Sequence, residues 1–206
     1  MNKLPANCFT LTPFFRKCML SAHVIFSVGW MGAVAVFLVL AVKGVVSRDT
    51  EMVRAAYLVM DLVGWSVIVP CCFGSLSTGL ILSLGSQWGL FNYYWVVVKL
   101  LVTVVSTIAL LVHMQPIGHM AQIASGRMVS PTELRATRIQ LIADAGAALL
   151  VLLAATIISV YKPWGKTGYG PGKERKRYGR YLLPVLIGLV LLFIIRHLVG
   201  GGLHKH

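Results

Sequence analysis

Five long apolar runs dominate this chain of 206 residues, and short polar, glycine-rich or basic segments separate them. A helix needs roughly 20 apolar residues to cross the hydrocarbon core of a bilayer. Runs of about that length are Met19 to Val42, Ala55 to Leu84, Tyr93 to Met114, Ile139 to Tyr161 and Tyr181 to Val199. Only 12% of the residues are charged, which excludes an ordinary water-soluble domain. The sequence therefore predicts an all-α, polytopic membrane bundle with five transmembrane helices.

The segments between the runs are too short to bury a core of their own. We expect an N-terminal tail over residues 1–18 and a four-helix transmembrane core over residues 19–163. A basic, glycine-rich loop over residues 164–180 and a fifth transmembrane helix with its tail over residues 181–206 should follow. No separate soluble catalytic module is expected.

Basic residues lie beside the spans, and the net charge is +13. Lys and Arg in that position are explained by membrane topology and anionic lipid, so nucleic acid is excluded as a partner. Seven of them lie between Lys162 and Arg180. We therefore expect this loop and the N-terminus to be cytoplasmic, and the 162–180 segment to contact anionic headgroups of the lipid bilayer.

Prolines mark two features of the predicted helices. Pro70 should kink the second helix because it removes a backbone hydrogen bond. The Ser130-Pro131 pair, followed by Glu133, is typical of a helix start, so the fourth helix should begin near Pro131. A loop from Gln115 to Arg138, containing that helix start, is expected between the third and fourth spans.

The third span carries a polar stripe inside the hydrocarbon. Thr103, Ser106 and His113 fall within about 40° of Lys99 on a helix, so the four share one face. The stripe indicates a proton or ion path, or the wall of a cofactor cleft. The alternative is that Ser and Thr bond to their own helix carbonyls while Lys99 and His113 reach toward opposite interfaces.

Asp61 and Asp144 are expected at similar depth in the second and fourth spans, with Gln140 one turn from Asp144. A buried carboxylate is protonated or paired. These residues therefore indicate either a bond that ties helices together or a proton-handling or metal site. Candidate partners at that depth are His113, His119, Arg196 and His197.

His23 lies one turn inside the first span, and Ser27 and Trp30 share its face. It is either a ligand or a hydrogen-bonded interior residue. Helix rise separates the expected depths of His23 and His113 by roughly 20 Å, so the two cannot ligate one haem iron.

Four stretches between about Cys18 and Pro163 resemble an uncharacterised family of bacterial integral membrane proteins that carries a domain of unknown function. They are LSAHVIFSVGWMGAVAVFLVL, AAYLVMDLVGWSVIVP, GLFNYYWVVVKLLVTVVSTIALLVHMQP and RIQLIADAGAALLVLLAATIISVYKP. That resemblance implies a bacterial cytoplasmic membrane location. More distantly, His23 with Trp30, and Lys99 followed by a histidine, are similar to haem-dependent protoporphyrinogen oxidases and copper-resistance-type membrane proteins. This second resemblance implies that His23, Lys99 and Trp30 contribute to binding haem or another cofactor.

The leading functional hypothesis is a non-enzymatic membrane protein that binds a cofactor such as haem in the cleft along the third helix. A membrane redox enzyme acting on a porphyrin or quinone is one alternative. Another is a small transporter or ion-conducting protein that uses Lys99, Asp61 and Asp144. A structural or assembly partner of another membrane protein, or a homo-oligomer, is the last.

Absorbance spectroscopy tests the cofactor hypothesis. If His23 ligates haem, protein purified in detergent from haem-replete cells should show a Soret band that His23→Ala removes, because the axial nitrogen is lost. Colourless wild-type protein would contradict the hypothesis.

Overall fold

The computed structural model describes residues 11–85, 92–126 and 131–161, with side chains from residue 135 onward in the last range. The predicted fifth helix, the basic loop and residues 1–10 of the tail lie outside the described residues. No strand occurs in the described ranges. The helices are α1 Pro13–Val46, α2 Thr50–Val63, α3 Val69–Leu84, α4 Tyr94–Ala124 and α5 Pro131–Tyr161, and a π-helical segment Gly64–Ile68 joins α2 to α3.

Four helical stretches are long and apolar enough to cross a bilayer, namely Pro13–Val46, Thr50–Leu84, Tyr94–Ala124 and Arg135–Tyr161. Large apolar side chains cover their outer faces: Val46 is 71% exposed and Leu150 is 69% exposed. Lipid tails are as apolar as these side chains, so the bilayer solvates them without cost. The all-helical prediction is confirmed, and four of the five predicted spans correspond to such helices.

Two helices extend well beyond their apolar runs. The expected loop from Gln115 to Arg138 is wrong, because α4 continues through Pro116 to Ala124 and α5 begins at Pro131. Proline within a helix removes one hydrogen bond, and a helix with neighbours tolerates this loss. The predicted start near Pro131 is confirmed, since the first helical residue needs no N–H donor.

Pro70 is accommodated by a wider helical turn. The π-helical segment Gly64–Ile68 lies directly before α3, and the Val69 amide donates to the Gly64 carbonyl five residues earlier. In an α-helix a proline ring clashes with the carbonyl group four residues earlier. A π-turn relieves this clash because its hydrogen bonds join residues five apart and so widen the turn. Helical backbone consequently continues from Thr50 to Leu84.

The chain divides into two compact units. Among the described residues, unit 1 comprises residues 11–23, 76–85, 92–105 and 157–161, and unit 2 comprises residues 24–75, 106–126 and 131–156. Each of the helices α1, α3, α4 and α5 contributes residues to both units. The polar residues singled out from the sequence are therefore distributed over two separate surroundings.

Unit 2 contains the main apolar core. Its largest buried members are Trp30, Phe37, Tyr57, Met60, Met114, Met120 and Leu141. Glycine lets helices approach closely at one point of this unit: a Cβ on Gly74 of α3 would lie 2.6 Å from Phe26 Cδ1 of α1. A Cβ on Gly32 would meet nothing within 4 Å. Small residues permit such close contact between helices in membranes.

Gly74→Ala should destabilise the protein by about 1–3 kcal/mol, because the added methyl group overlaps the Phe26 ring. Gly32→Ala is the matched control, and it should be neutral or stabilise by up to about 1 kcal/mol through its higher helix propensity. Unfolding in mixed detergent micelles measures both changes. Equal stability of the two variants would contradict the close packing at Gly74.

Candidate functional site

His113 of α4 and Asp144 of α5 lie in contact in unit 2. His113 Nε2 lies 2.8 Å from Asp144 Oδ2. The other ring nitrogen, Nδ1, lies 2.6 Å from the backbone oxygen of Ala109, one turn earlier on α4. The side chains of His113 and Asp144 are 13% and 21% exposed. The structure thus joins Asp144 to one of the partners considered from the sequence.

These two contacts fix the number of protons in the pair. A carbonyl oxygen only accepts hydrogen bonds, so Nδ1 carries a hydrogen and donates it to Ala109. The 2.8 Å approach of Nε2 to Oδ2 lacks the alignment of a hydrogen bond, since Oδ2 has no hydrogen-bond partner in the described part of the chain. Lone pairs on both atoms at that distance would repel each other, so one more proton is held by the ring or by the carboxyl group. The pair is either imidazolium with carboxylate or imidazole with carboxylic acid. Its net charge is zero in both forms, which suits apolar surroundings.

Asp144 Oδ2 and three further polar atoms are buried in unit 2 without a hydrogen-bond partner in the described part of the chain; the three are Tyr57 Oη, Asp61 Oδ1 and Arg138 Nε. The Arg138 guanidinium lies over the Tyr57 ring, with Cζ 5.5 Å from the ring centroid. Asp61 faces α4, where a Cβ on Gly118 would lie 3.8 Å from Asp61 Oδ1. Buried polar atoms are normally paired, so these three mark a place where water or a ligand completes the site.

Unit 1 contains the other predicted histidine and the lysine. His23 Nδ1 lies 3.1 Å from Thr78 Oγ1 of α3. Lys99 Nζ donates to Ser159 Oγ of α5 at 2.9 Å, and Thr103 Oγ1 donates to the Lys99 carbonyl oxygen at 2.8 Å. The Thr103 bond is the helix-carbonyl alternative expected from the sequence. Lys99 and His113, however, each contact a side chain of α5.

The remaining predicted residues take other positions in unit 2. Trp30 is 4% exposed and lies in the apolar core, while Ser106 and Gln140 are half-buried. Ser27, which shares the face of Trp30, has its Oγ 2.8 Å from Ser75 Oγ. The polar stripe is therefore divided, with Lys99 and Thr103 in unit 1 and Ser106 and His113 in unit 2.

Tyr57 and Arg138 were missed in the sequence reasoning, although spacing could have identified both. Tyr57 precedes Asp61 by four residues and so shares its helix face. Arg138 precedes the buried residues Leu141 and Ala145 by three and seven residues, which is the spacing of one inward face. An arginine on such a face is a functional signal inside a membrane.

The described residues contain no group of three or more His, Cys, Asp and Glu side chains able to hold a metal ion. No protein-family model matches the chain, and neither curated proteins nor solved structures give a match. The geometry of the two units is consequently the basis for a functional proposal.

A double-mutant cycle measures the His113–Asp144 interaction. His113→Gln and Asp144→Asn should each lower the free energy of unfolding by about 1–3 kcal/mol, because each leaves a shielded polar partner unpaired. The double variant should lose less than the sum, by about 1 kcal/mol. Thr156→Val is the control on α5: within the described residues its hydroxyl bonds to the Leu152 carbonyl, so its effect should add to that of His113→Gln. Additivity in the first cycle would contradict the pairing.

Proposed function

We propose that this protein moves protons across the membrane through the His113–Asp144 pair. The observation that carries the proposal is the hydrogen bond from His113 Nδ1 to the Ala109 carbonyl oxygen. Because Nδ1 keeps its hydrogen for this bond, one further proton is shared between His113 Nε2 and Asp144 Oδ2. Such a pair holds its proton on α4 or on α5 without a change in net charge. Intramembrane pairs of this chemistry are the usual elements of proton relays. Among the hypotheses left open by the sequence, this favours the transporter or ion-conducting protein.

The charges near the pair determine whether it can gain or lose a proton. Besides the pair, the partly buried ionisable side chains in the described spans of unit 2 are Asp61 on α2 and Arg138 on α5. The exposed ones are Lys43, Glu51, Arg54, His119 and Arg135. Gly118, which faces Asp61, follows His113 by five residues, or about 7.5 Å along α4. Five residues also turn the helix by about 140°, so Asp61 lies against a different face of α4 from that of His113.

Haem binding by His23, Lys99 and Trp30 stays a prediction. In unit 1 the Lys99 amine donates to Ser159, and in unit 2 Trp30 is buried in the apolar core. The absorbance test described above tests this prediction.

We also propose that the protein lies in the bacterial cytoplasmic membrane with its N-terminus in the cytoplasm. The support is the excess of Lys and Arg between Lys162 and Arg180, together with the family resemblance. The same excess supports contact of this segment with anionic lipid. Association with another membrane protein or with a second copy stays a prediction.

Proton uptake by liposomes tests the proposed function. Full-length protein is reconstituted with trapped pyranine, and a potassium gradient with valinomycin makes the interior negative. Wild-type protein should acidify the interior, and Asp144→Asn should slow this uptake by about 100-fold, because an amide cannot exchange the shared proton. His113→Gln should have a comparable effect.

Glu51→Gln is the matched control, since Glu51 is an exposed carboxylate in the first turn of α2. It should acidify the vesicles at the wild-type rate. Wild-type vesicles that acidify no faster than empty liposomes would overturn the proposal, as would an unchanged rate in Asp144→Asn.

A further inference from the structure

Lys99 and Ser159 bring several hydrogen-bond donors together in unit 1. The Lys99 amine donates to Ser159 Oγ at 2.9 Å and so links α4 to α5. An ammonium group has three hydrogens and no lone pair, and this bond uses one of them. Because the Ser159 oxygen accepts from Lys99, its own hydroxyl hydrogen can be donated elsewhere. Three donors from two neighbouring helices are therefore directed at one place.

The described residues of unit 1 supply no negative charge to balance Lys99. They contain no Asp or Glu side chain. The sequence that follows α5 adds positive charge, since residues 162–180 include seven Lys and Arg but one acidic residue, Glu174. A charged side chain within a span is costly unless it is paired. This charge balance favours an anion that the chain itself does not supply.

The position of the amine limits which anions can reach it. Helix α4 begins at Tyr94, and Lys99 lies five residues later, or about 7.5 Å along the helix axis. Ser159 lies two residues before Tyr161, the last residue of α5. The amine thus lies near the ends of two apolar helices, where lysine side chains extend toward the lipid headgroups.

Aromatic side chains mark the same helix ends as a membrane–water interface. The rings of Tyr93 and Trp95 at the start of α4 have centroids 6.4 Å apart, and Tyr161 at the end of α5 is 78% exposed. Tyr and Trp are enriched at the headgroup level of bilayers. Trp95 precedes Lys99 by four residues and so shares its helix face. Phosphate groups of phospholipids are the anions found at this depth.

We infer that Lys99 and Ser159 bind the phosphate group of an anionic phospholipid. A phosphodiester has one negative charge and two non-bridging oxygens, which match one ammonium group and the hydroxyl hydrogen beside it. The site needs no enclosed cavity, because the acyl chains stay in the bilayer beside exposed apolar side chains of α5, Ile157 and Val160. A choline headgroup is disfavoured, because it would bring another cation to a region rich in Lys and Arg. The inference does not depend on proton movement in unit 2.

Native mass spectrometry of the full-length protein tests the site. Protein in detergent micelles is titrated with phosphatidylglycerol or with phosphatidylcholine of the same acyl chains. Wild-type protein should bind phosphatidylglycerol about 5-fold more tightly, which corresponds to the attraction between one lysine and an anionic lipid. Lys99→Gln should weaken phosphatidylglycerol binding by about 10-fold, because a hydrogen bond to a charged group is lost. Ser159→Ala should weaken it by about 5-fold, because one neutral donor is lost.

Two exposed residues of α1 in the same unit provide matched controls. Lys17→Gln removes one positive charge, and Ser21→Ala removes one hydroxyl group. Both should bind phosphatidylglycerol like the wild type. Lys99→Arg keeps a cationic donor and should bind more tightly than Lys99→Gln. Ser159→Ala leaves the charge unchanged, so it tests the site even if Lys99→Gln fails to fold.

Weaker binding that is confined to the Lys99→Gln and Ser159→Ala variants supports the inference. An equal loss in Lys17→Gln would mean that the lipid responds to net charge alone, which overturns a specific site. Equal binding by wild type, Lys99→Gln and Ser159→Ala would overturn it as well.

Isothermal titration with inorganic phosphate distinguishes a lipid phosphate from a soluble one. Wild-type protein should bind inorganic phosphate no better than Lys99→Gln does, because the acyl chains contribute to lipid binding. Lys99-dependent binding of inorganic phosphate that also displaces phosphatidylglycerol would assign the site to a soluble anion and overturn the lipid assignment.

Discussion

Hydrocarbon offers no hydrogen bonds, and this constraint explains how the polar side chains within the described spans are paired. A polar group inside a span forms a hydrogen bond to its own helix, contacts a polar group on a neighbouring helix, or forms a hydrogen bond to water or a ligand. Thr103 and Thr156 take the first course, each donating to a carbonyl four residues earlier. His113 takes the second by contacting Asp144. Tyr57 Oη and Arg138 Nε have no hydrogen-bond partner among the described residues, so water or a ligand is the partner that remains for them.

The same constraint explains why Pro70 and Pro116 do not end the helices that contain them. A backbone break in lipid would expose several unpaired groups, whereas a proline inside a continuous helix leaves one carbonyl to be satisfied. Helix α4 runs through Pro116, and the π-helical segment before Pro70 keeps the second span helical. Both prolines lie in spans that also carry the candidate functional groups, His113 and Asp61.

Much of the architecture follows from hydropathy, because a run of about 20 apolar residues is typical of a transmembrane helix. The helix ends were less predictable. The continuous apolar run of the third span ends near Met114, yet α4 continues to Ala124. Amphipathic turns beyond an apolar run can still be helical. Intramembrane charge identified His113 and Asp144 as candidates, but helix periodicity within one span could not show which helices meet. Pairing across α4 and α5 is a property of packing. Arg138 was overlooked for a related reason, because a basic residue near a span end also serves as a topology signal.

The π-helical segment Gly64–Ile68 also sets the angular phase of the second span. One extra residue in a helical turn rotates everything beyond it by about 100° relative to an uninterrupted α-helix. Tyr57 and Asp61 precede this segment, whereas Cys72 and Ser75, which contact Thr107 and Ser27, follow it. Loss of a single residue there would keep the span helical but turn one half of it away from its partners. The length of the segment Gly64–Ile68, more than its composition, thus keeps the inward faces of α2 and α3 in the orientation that these contacts require.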